Sequence, residues 1–511
     1  MNKKTSLEQE MEAVKAMFSN GSFKSFSGTL IKEYTELMAE IRAGEYISSG
    51  STIGHEIEGS FLDAESYCLP SPGRCVGGIF GFVKDKLGDI SQGRLSIGGE
   101  LGDFNFEINT EAKTFSGDVF SQEEREITNL LREIENVAST QGLTAYFSGM
   151  VETARDADVD LENLILHPSK HLRYLGINHG VISLRGKPLQ IDVNGSENSY
   201  SNVFGNIMIE ALCNSLQTHI KLENPQEDFS RYMNAAMILA APLVAVAANS
   251  PFINSRGPYW RDSRIPVFEQ SIDSRTDAER RFNINRNSFP ESYYDSLEQF
   301  YTETLRNNIL IPDTSFGKDE SGGDLISHPL FRLQLGTDWR WIRPVWHGTK
   351  DTEKYITLEF RPLSSGPTVT DMVANSALYL GALQYIAENN LVEQFRENVP
   401  FSSIRDNFYS AAKSGMDAEI TWKDGKVPLR EVLNEILEMA RIGLSHQGIS
   451  SADSDKYLGV IEKRLENGTS PSDIKVRVYG QSIIDRMGPL EAITEVVKYS
   501  HQALHEGEVL I

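Results

Sequence analysis

Two glutamates in the segment STIGHEIEGSFLD, Glu56 and Glu58, have a spacing that suits metal chemistry. In a β-strand, alternate residues lie on the same face, so Glu56 and Glu58 would share one face while Ile53 and Ile57 share the other. Two carboxylates at this spacing repel each other unless water or a cation lies between them. The pair therefore predicts either a solvated strand face or one wall of a cation site.

The same alternation recurs in four other predicted strands, in the segments FNFEINT, SLQTHIKL, DWRWIRPVW and KYITLEFRPL. Their polar positions carry mainly acids, arginine, glutamine and histidine. Carboxylates are the ligands that Mg²⁺ and Mn²⁺ prefer, and arginines bind phosphate or carboxylate groups through paired hydrogen bonds. The pattern predicts phosphoryl transfer with metal ions bridging the phosphates of a nucleotide. The residues that carry this prediction are Glu56, Glu58, Glu107, Gln217, His219, Arg343, Glu359 and Arg361.

Alternation of polar and apolar residues is also typical of strands without any catalytic role. An ordinary antiparallel sheet with one solvated face shows it, so a purely structural role stays open for any single strand. A zinc protease motif H-E-x-x-H and a nucleophile motif G-x-S-x-G are both absent from the sequence. Metal-assisted phosphoryl transfer is therefore favoured over zinc or triad chemistry.

The bulk composition limits the partners and the compartment. The chain has 511 residues, a formal net charge of −23 and three cysteines. Such acidity argues against nucleic acid or an anionic membrane as a partner, and so few cysteines fit a reducing compartment. The N-terminal segment MNKKTSLEQEMEAVKAMF predicts an amphipathic helix instead of a signal peptide, and the run AAMILAAPLVAVAA, about 14 residues, is too short to span a bilayer. We expect a cytoplasmic protein that acts on small molecules.

Helical segments separate the predicted strands, which favours an α+β fold with a largely antiparallel sheet. No G-x-G-x-x-G or Walker A motif follows a strand, so a doubly wound nucleotide-binding fold is not expected. Helices are predicted to begin at Ser121 and near Thr368 or Thr370, because these side chains can cap them. We divide the chain into a catalytic domain, residues 1–395, and a mostly helical C-terminal region, residues 396–511.

Several segments together resemble the glutamate–cysteine ligase family, especially its type 2 carboxylate–amine ligase branch. They occur in family order from about Ile53 to Asn390, and A-N-S-P-F combined with T-L-E-F-R is the most specific combination. The segments are GHEIEGSFLD, GELGDFNFEINT, RYMNAAMILAAPLVAVAANSPF, YWRDSR and WRWIRPVWHGTKDTEKYITLEFRPLSSGPTV.

This resemblance implies a glutamine-synthetase-like fold, in which a curved antiparallel sheet covered by helices forms a funnel for metals, ATP and glutamate. It also implies the reaction: ATP converts a carboxylate to an acyl phosphate, and an amine then displaces phosphate to form an amide. By position, the implied metal ligands are Glu56, Glu58, Glu107 and Glu359, the implied catalytic residues are Glu58, Glu359, Arg361 and Arg343, and the implied substrate- and nucleotide-binding residues are Gln217, His219, Arg264 and Glu100.

The chain also departs from the family pattern. The type 2 branch usually has His-x-His where this chain has Gln217 and His219, and an aromatic residue where this chain has Gly59. Pockets for the amine acceptor are formed by variable segments, so the identity of the amine stays open. Glutamate plus an amino acid such as cysteine is the expected pair. A ligase joining a different carboxylate and amine, and a binding or regulatory homologue without turnover, remain as alternatives. The general base is not assigned.

Overall fold

The computed structural model describes residues 12, 14–15, 17–71, 73–88, 95–161, 168–196, 198–318, 325–349, 352–423 and 425–511, with backbone only for residues 20 and 168–172. Most of the helix predicted at the extreme N-terminus lies outside these residues. The described helices are α1 Asn20–Arg42, α2 Ile79–Leu87, α3 Val119–Ala138, α4 Pro168–Arg185, α5 Pro225–Ala247, α6 Arg264–Ser271, α7 Leu297–Arg306, α8 Pro329–Leu335, α9 Val369–Glu388, α10 Leu391–Asn398, α11 Phe401–Ser414, α12 Leu429–His446, α13 Ser451–Asn467, α14 Pro471–Ile484 and α15 Pro489–Glu506.

Eight of the described strands form one antiparallel sheet. These strands are β1 Thr52–Asp63, β2 Leu95–Gly98, β3 Asn105–Thr110, β4 Lys113–Thr114, β5 Leu143–Tyr146, β8 Ser215–Leu222, β9 Ile342–His347 and β10 Tyr355–Ser364. The main order of the sheet is β2-β3-β1-β8-β10-β9, and β4 and β5 also pair with β1. The hairpins β6 Leu189–Asn194 with β7 Ser199–Phe204, and β11 Glu419–Trp422 with β12 Gly425–Pro428, form separate sheets. The predicted α+β class with an antiparallel sheet is confirmed.

The predicted apolar faces of the strands are buried under helices. In β1, Ile53, Ile57 and Phe61 are buried, whereas Glu56 and Glu58 are half-buried on the opposite face. Helix α5 packs against β10, and helix α9 packs against β8. Burial of one sheet face therefore fixes which side chains face the other way, because a shift of register by one residue would expose the apolar set.

Helix α5 is long and apolar enough to cross a membrane, with a mean hydropathy of 1.4 over its most apolar window. However, 83% of that window is buried inside the protein. The helix also continues through Pro242. Helix α5 is therefore a buried core helix, as the sequence predicts. With 23 residues it is longer than the apolar run AAMILAAPLVAVAA from which it was predicted.

The predicted helix starts have different outcomes. Helix α9 begins as expected, with the Thr368 side chain accepting a hydrogen bond from the Asp371 N–H. The prediction that Ser121 caps helix α3 is wrong, because the helix begins at Val119. The Ser121 N–H donates instead to Asp453 of helix α13, at 3.0 Å. A contact with a residue far along the chain thus replaces the local cap.

The C-terminal region is mostly helical, as predicted, with the β11–β12 hairpin inserted. Two ion pairs with fully buried side chains join it to the preceding residues: Arg464 with Asp371 at 2.6 Å, and Lys475 with Glu152 at 2.5 Å. Removing one partner of such a pair leaves a buried charge uncompensated. These contacts hold the helices against the sheet domain, and the division at residue 395 stays a prediction.

Candidate active site

The pairing register brings the predicted acids together on one face of the sheet. Glu58 lies opposite Glu107 of β3, and Glu56 lies opposite Gln217 of β8. Glu359 of β10 has His219 of β8 on one side and Arg343 of β9 on the other. We call the following set the polar face: Glu56, Glu58, Glu107, Gln217, His219, Arg343, Glu359 and Arg361.

Glu359 lies at the centre of the arginine side of the polar face. It is 1% exposed and forms ion pairs with both Arg343 and Arg361. Arg343 also donates to the carbonyl oxygens of Leu335 and Asp338, at 3.3 and 3.2 Å. Although burial opposes ionisation, the two guanidinium charges hold the pKa of Glu359 well below its ordinary value. Glu359 is therefore an ionised carboxylate that orients two cationic side chains.

Gln217 connects this arginine side to Glu58. Its side-chain amide donates to Glu58 Oε1 at 2.8 Å, and its oxygen accepts from Arg361. The other Glu58 oxygen accepts from the Ser215 backbone N–H at 2.5 Å and from the Ser215 hydroxyl at 2.8 Å. The glutamine found in place of the family histidine thus has a defined structural role, since its amide can donate to a carboxylate and accept from a guanidinium at once.

Glu58, Glu107 and Glu210 form an acidic side, where the nearby charge of Arg361 only partly offsets the carboxylates. Burial raises the pKa of Glu58 to about 7, and the charge of Glu100 contributes to the rise. Burial, together with Glu100, Glu56 and Glu58, raises the pKa of Glu107 well above its ordinary value. Burial, Glu58 and Glu100 raise the pKa of Glu210 to about 8. Carboxylates that repel each other in this way favour a bound cation.

A small cavity of about 50 Å³ borders this acidic side. Glu100 and Glu210 line it together with aromatic and aliphatic side chains, and the Tyr174 hydroxyl donates to Glu100 at 3.2 Å. No lysine or arginine is among the described residues that line it. Its lining is Glu100, Leu101, Tyr174, Ile177, Ile207, Glu210, Ile272 and Trp339. The cavity therefore suits a small cationic group.

A second cavity of about 150 Å³ lies at the other end of the polar face. Glu56, His219, His347 and Thr357 are among its lining residues. His219 Nε2 is 3.4 Å from Glu56 Oε1, and His347 Nε2 is 2.9 Å from the Thr357 hydroxyl. Burial works against a charge on His219, but Glu56 outweighs it, so the pKa of His219 is raised. This end offers imidazole and hydroxyl groups to a polar ligand.

The polar face contains one set of atoms with the spacing of a metal site. Ligand atoms of Glu56, His219 and Glu359 all lie within 4.8 Å of one another. His219 Nε2 is buried and makes no hydrogen bond, although Glu56 Oε1 lies 3.4 Å away. Two carboxylates and an imidazole suit Mn²⁺ and can hold Mg²⁺ through water. The residues present fit a divalent cation, with His219 added to the predicted ligands.

Arg264 lies behind the polar face and is 2% exposed. Its guanidinium donates to the carbonyl oxygens of Arg361 and Pro362, at 3.1 and 2.6 Å, and lies 5.1 Å from the ring centre of Trp341. The surface position that is common for arginine is therefore excluded. These contacts hold the backbone of β10 beside Arg361, and a direct contact with substrate stays a prediction.

Sequence reasoning missed Glu210, which follows the apolar run Ile207–Ile209 in a short 3-10 helix. An acid at the end of such a run is a signal that could have been used, because charged residues are rarely buried without a reason.

The family departure at Gly59 also has a structural cause. A Cβ there would lie 2.5 Å from Phe106 and 2.7 Å from Phe147, so these two rings occupy the space that a side chain would need.

Comparison with known proteins places the chain in a family. The family model "Glutamate-cysteine ligase family 2" matches residues 52–497, across the predicted boundary at residue 395. This chain belongs to glutamate–cysteine ligase family 2. It is therefore an ATP-dependent carboxylate–amine ligase with small-molecule substrates, as the resemblance implied. Among curated protein sequences, none matches.

Solved structures similar to this ligase include the following two. The glutamate–cysteine ligase of Francisella tularensis in complex with AMP is 12% identical, with a TM-score of 0.56 and coverage of 90% of each chain. A bifunctional glutathione synthetase from Pasteurella multocida is 11% identical, with a TM-score of 0.47 and coverage of 89% of this chain and 53% of its own. At such identities the first match confirms the fold and leaves the substrates open.

Proposed function

We propose that this ligase phosphorylates the γ-carboxylate of glutamate with ATP and transfers the γ-glutamyl group to a small amine. The observation that carries the proposal is the polar face, where unbalanced carboxylates lie beside two arginines on paired strands. Family membership supports glutamate as the carboxylate, and the AMP bound to the Francisella tularensis enzyme supports an adenine nucleotide as the phosphate source.

The chain offers residues for divalent cations, Mg²⁺ or Mn²⁺. Glu56, His219 and Glu359 would hold one ion, and Glu58 with Glu107 would hold another, since burial and neighbouring carboxylates raise the pKa values of this second pair and a cation would offset both effects. When bound, such ions neutralise the charge of the nucleotide phosphates. Glu359 would then share its charge between the arginines and the cation.

In the first step, a γ-carboxylate oxygen of glutamate attacks the γ-phosphorus of ATP, the bond to the bridging oxygen breaks, and ADP leaves. The protein positions the reactants and stabilises the charge on the transferring group. Arg361 and Arg343 are the side chains for this role, because Glu359, Gln217 and backbone carbonyls hold them at the polar face. Fixed donors need no reorganisation as the reaction proceeds.

In the second step, the amine nitrogen attacks the acyl carbon, and phosphate leaves with the oxygen that came from glutamate. The amine must release its proton to form the amide. In this proposal the cavity lined by Glu100 and Glu210 binds the incoming ammonium, and a Glu210 carboxylate oxygen accepts that proton. Its pKa of about 8 is close to the pH at which such an exchange is efficient.

The cavity lined by Glu100 and Glu210 favours an amine without a carboxylate over cysteine, the acceptor that the family name implies. Cysteine carries a carboxylate next to its amine, and the described lining residues offer no cation to pair with it. The repulsion from Glu100 and Glu210 would disfavour such a group. A small amine without an adjacent carboxylate is therefore the preferred acceptor, and cysteine is the second candidate.

The proposal is tested by measuring phosphate release and amide formation with ATP, Mg²⁺, glutamate and a panel of amines. The panel pairs each amino acid with the amine that lacks its carboxylate, such as cysteine with cysteamine. We expect amide and phosphate in equal amounts, with higher kcat/KM for the simple amine. Preference for cysteine would overturn the acceptor proposal alone, and no product with any amine would overturn the proposed reaction.

Glu359→Gln tests the site in the same assay. It removes the charge that orients both arginines and that would bind the cation, so turnover should be lost. Glu353→Gln is the matched control, because this glutamate lies shortly before β10 with a side chain that is 67% exposed. Full activity of Glu359→Gln, or equal losses in both variants, would contradict the assignment.

A further inference from the structure

A second cluster of metal-ligating side chains lies on elements that carry no residue of the polar face. Ligand atoms of Glu135, His501 and His505 all lie within 4.8 Å of one another. His501 Nε2 is 2.8 Å from His505 Nε2, and His505 Nε2 is 3.8 Å from Glu135 Oε1. Both histidines follow residue 497, where the family match ends, so the match does not account for this cluster.

The local structure holds the three side chains in place. His501 and His505 are four residues apart in helix α15 and therefore lie on the same face. Glu135 lies in the last turn of helix α3, and its Oε1 accepts from the Ala145 N–H at 2.6 Å and from the Thr144 hydroxyl at 3.0 Å. The Thr144 hydroxyl also lies 3.2 Å from Glu135 Oε2 and 2.6 Å from His501 Nε2, so a bound ion would replace part of these hydrogen bonds while the backbone contact of Glu135 stays.

The donor set identifies the class of metal. Two imidazole nitrogens and one carboxylate are typical ligands of Zn²⁺, at about 2.0–2.2 Å from the ion, and Mg²⁺ prefers oxygen ligands alone. Neighbouring ligand atoms around a tetrahedral ion are about 3.3–3.5 Å apart on these bond lengths. The observed 2.8 and 3.8 Å bracket that spacing, so small rotations of the side chains would accommodate the ion.

The surroundings leave room for a fourth ligand and a path for the metal. Glu135 and His505 line a cavity of about 710 Å³. The His505 side chain is 42% exposed and that of Glu135 is 16% exposed. With a water molecule as the fourth ligand, the three side chains would complete a tetrahedral site with the ligand count of catalytic zinc centres.

We propose that Glu135, His501 and His505 bind one Zn²⁺ ion that fastens helix α15 to helix α3. The ion would also connect the C-terminal helix to strand β5, through the contacts of Glu135 with Thr144 and Ala145. Strand β5 pairs with β1, which carries Glu56 and Glu58. Zinc would therefore stabilise the sheet edge beside the polar face, without taking part in the ligase reaction.

The test uses Co²⁺, which replaces Zn²⁺ and gives visible absorption when bound by nitrogen ligands in tetrahedral geometry. The purified full-length protein is titrated with Co²⁺ in excess Mg²⁺, and the metal is then displaced with Zn²⁺. We expect one Co²⁺ per chain, displaced by Zn²⁺ and not by Mg²⁺, and a rise in Tm of a few degrees with Zn²⁺.

Variants then locate the site. His501→Gln with His505→Gln should abolish the absorption and the Tm rise, and Glu359→Gln should keep both. His446→Gln is the matched control, because His446 also lies in the last turn of a helix, 3.2 Å from Glu388. The exposed single variant His505→Gln serves if the double variant does not fold. Unchanged Co²⁺ binding in the histidine variants, or loss of binding only in Glu359→Gln, would overturn the proposal.

Discussion

Replacing Glu210 by glutamine should stabilise the protein at alkaline pH and weaken its use of the amine. Burial, Glu58 and Glu100 raise the pKa of Glu210 from 4.5 to about 8. At about 1.4 kcal/mol per pH unit, this rise corresponds to a cost of about 5 kcal/mol for keeping Glu210 ionised in the folded protein. Glutamine has the same shape and carries no charge, so the variant avoids this cost.

The sign of the pH dependence follows from where the proton is bound. Between pH 4.5 and about 8, the folded protein keeps a proton on Glu210 that the unfolded chain has released, so wild-type stability falls as the pH rises. The variant lacks this loss. The free energy of unfolding of the variant should exceed that of the wild type by almost nothing at pH 4.5. The difference should grow between pH 4.5 and 8 and become constant above pH 8. Because neighbouring acids can also take up protons, we expect about 2–3 kcal/mol at pH 8.5.

Urea unfolding of metal-free protein at pH 5, 7 and 8.5 measures this difference. Glu353→Gln, the exposed control, should change the free energy of unfolding by less than about 0.5 kcal/mol at each pH. In the ligase assay, Glu210→Gln should raise KM for the amine about tenfold or more and lower kcat, because glutamine cannot accept the amine proton, with KM for ATP little changed. A variant that is less stable at pH 8.5, or equally stabilised at pH 5 and 8.5, would refute the reasoning.

Three further substitutions test other parts of the structure. Glu359→Gln should destabilise the fold by about 3–5 kcal/mol in urea unfolding, because Arg343 and Arg361 lose their counter-charge; a change below about 1 kcal/mol would contradict this. Arg361→Lys should lower kcat about a hundredfold with the unfolding midpoint little changed, since lysine cannot contact Gln217 and Glu359 as a planar guanidinium does; near-normal kcat would argue against its role. Gly59→Ala should cost about 1–3 kcal/mol by overpacking, and an unchanged urea midpoint would contradict the contacts described at this position.

The polar face was predictable because its signal is local. Alternation with a period of two places Glu56 and Glu58 on the same face whatever the rest of the fold does. Which strands become neighbours is a long-range property, and the residues alone gave no pairing. The resemblance to a family supplied the expectation of one antiparallel sheet, and the pairing of β1 with β3 and β8, and of β8 with β10, confirms it.

The features that sequence reasoning missed depend on contacts between distant segments. Serine is a residue type that often caps helices, but the Ser121 N–H donates a hydrogen bond to Asp453 of helix α13 instead. The resemblance named Arg264 as a binding residue, but nothing in its own segment indicates that its guanidinium donates to the carbonyl oxygens of β10. Glu210 has its raised pKa because folding buries it and brings it near Glu58 and Glu100. None of these neighbours is visible in the local sequence.

The most direct test of the proposed reaction follows an oxygen atom. Glutamate labelled with ¹⁸O in its γ-carboxylate is incubated with the enzyme, ATP, Mg²⁺ and the best amine, and the released phosphate is analysed by mass spectrometry. Attack of the carboxylate on the γ-phosphorus, followed by displacement by the amine, predicts one ¹⁸O atom in each phosphate and an amide product in equal amount. Unlabelled phosphate, or ¹⁸O found in AMP instead, would contradict the acyl-phosphate mechanism.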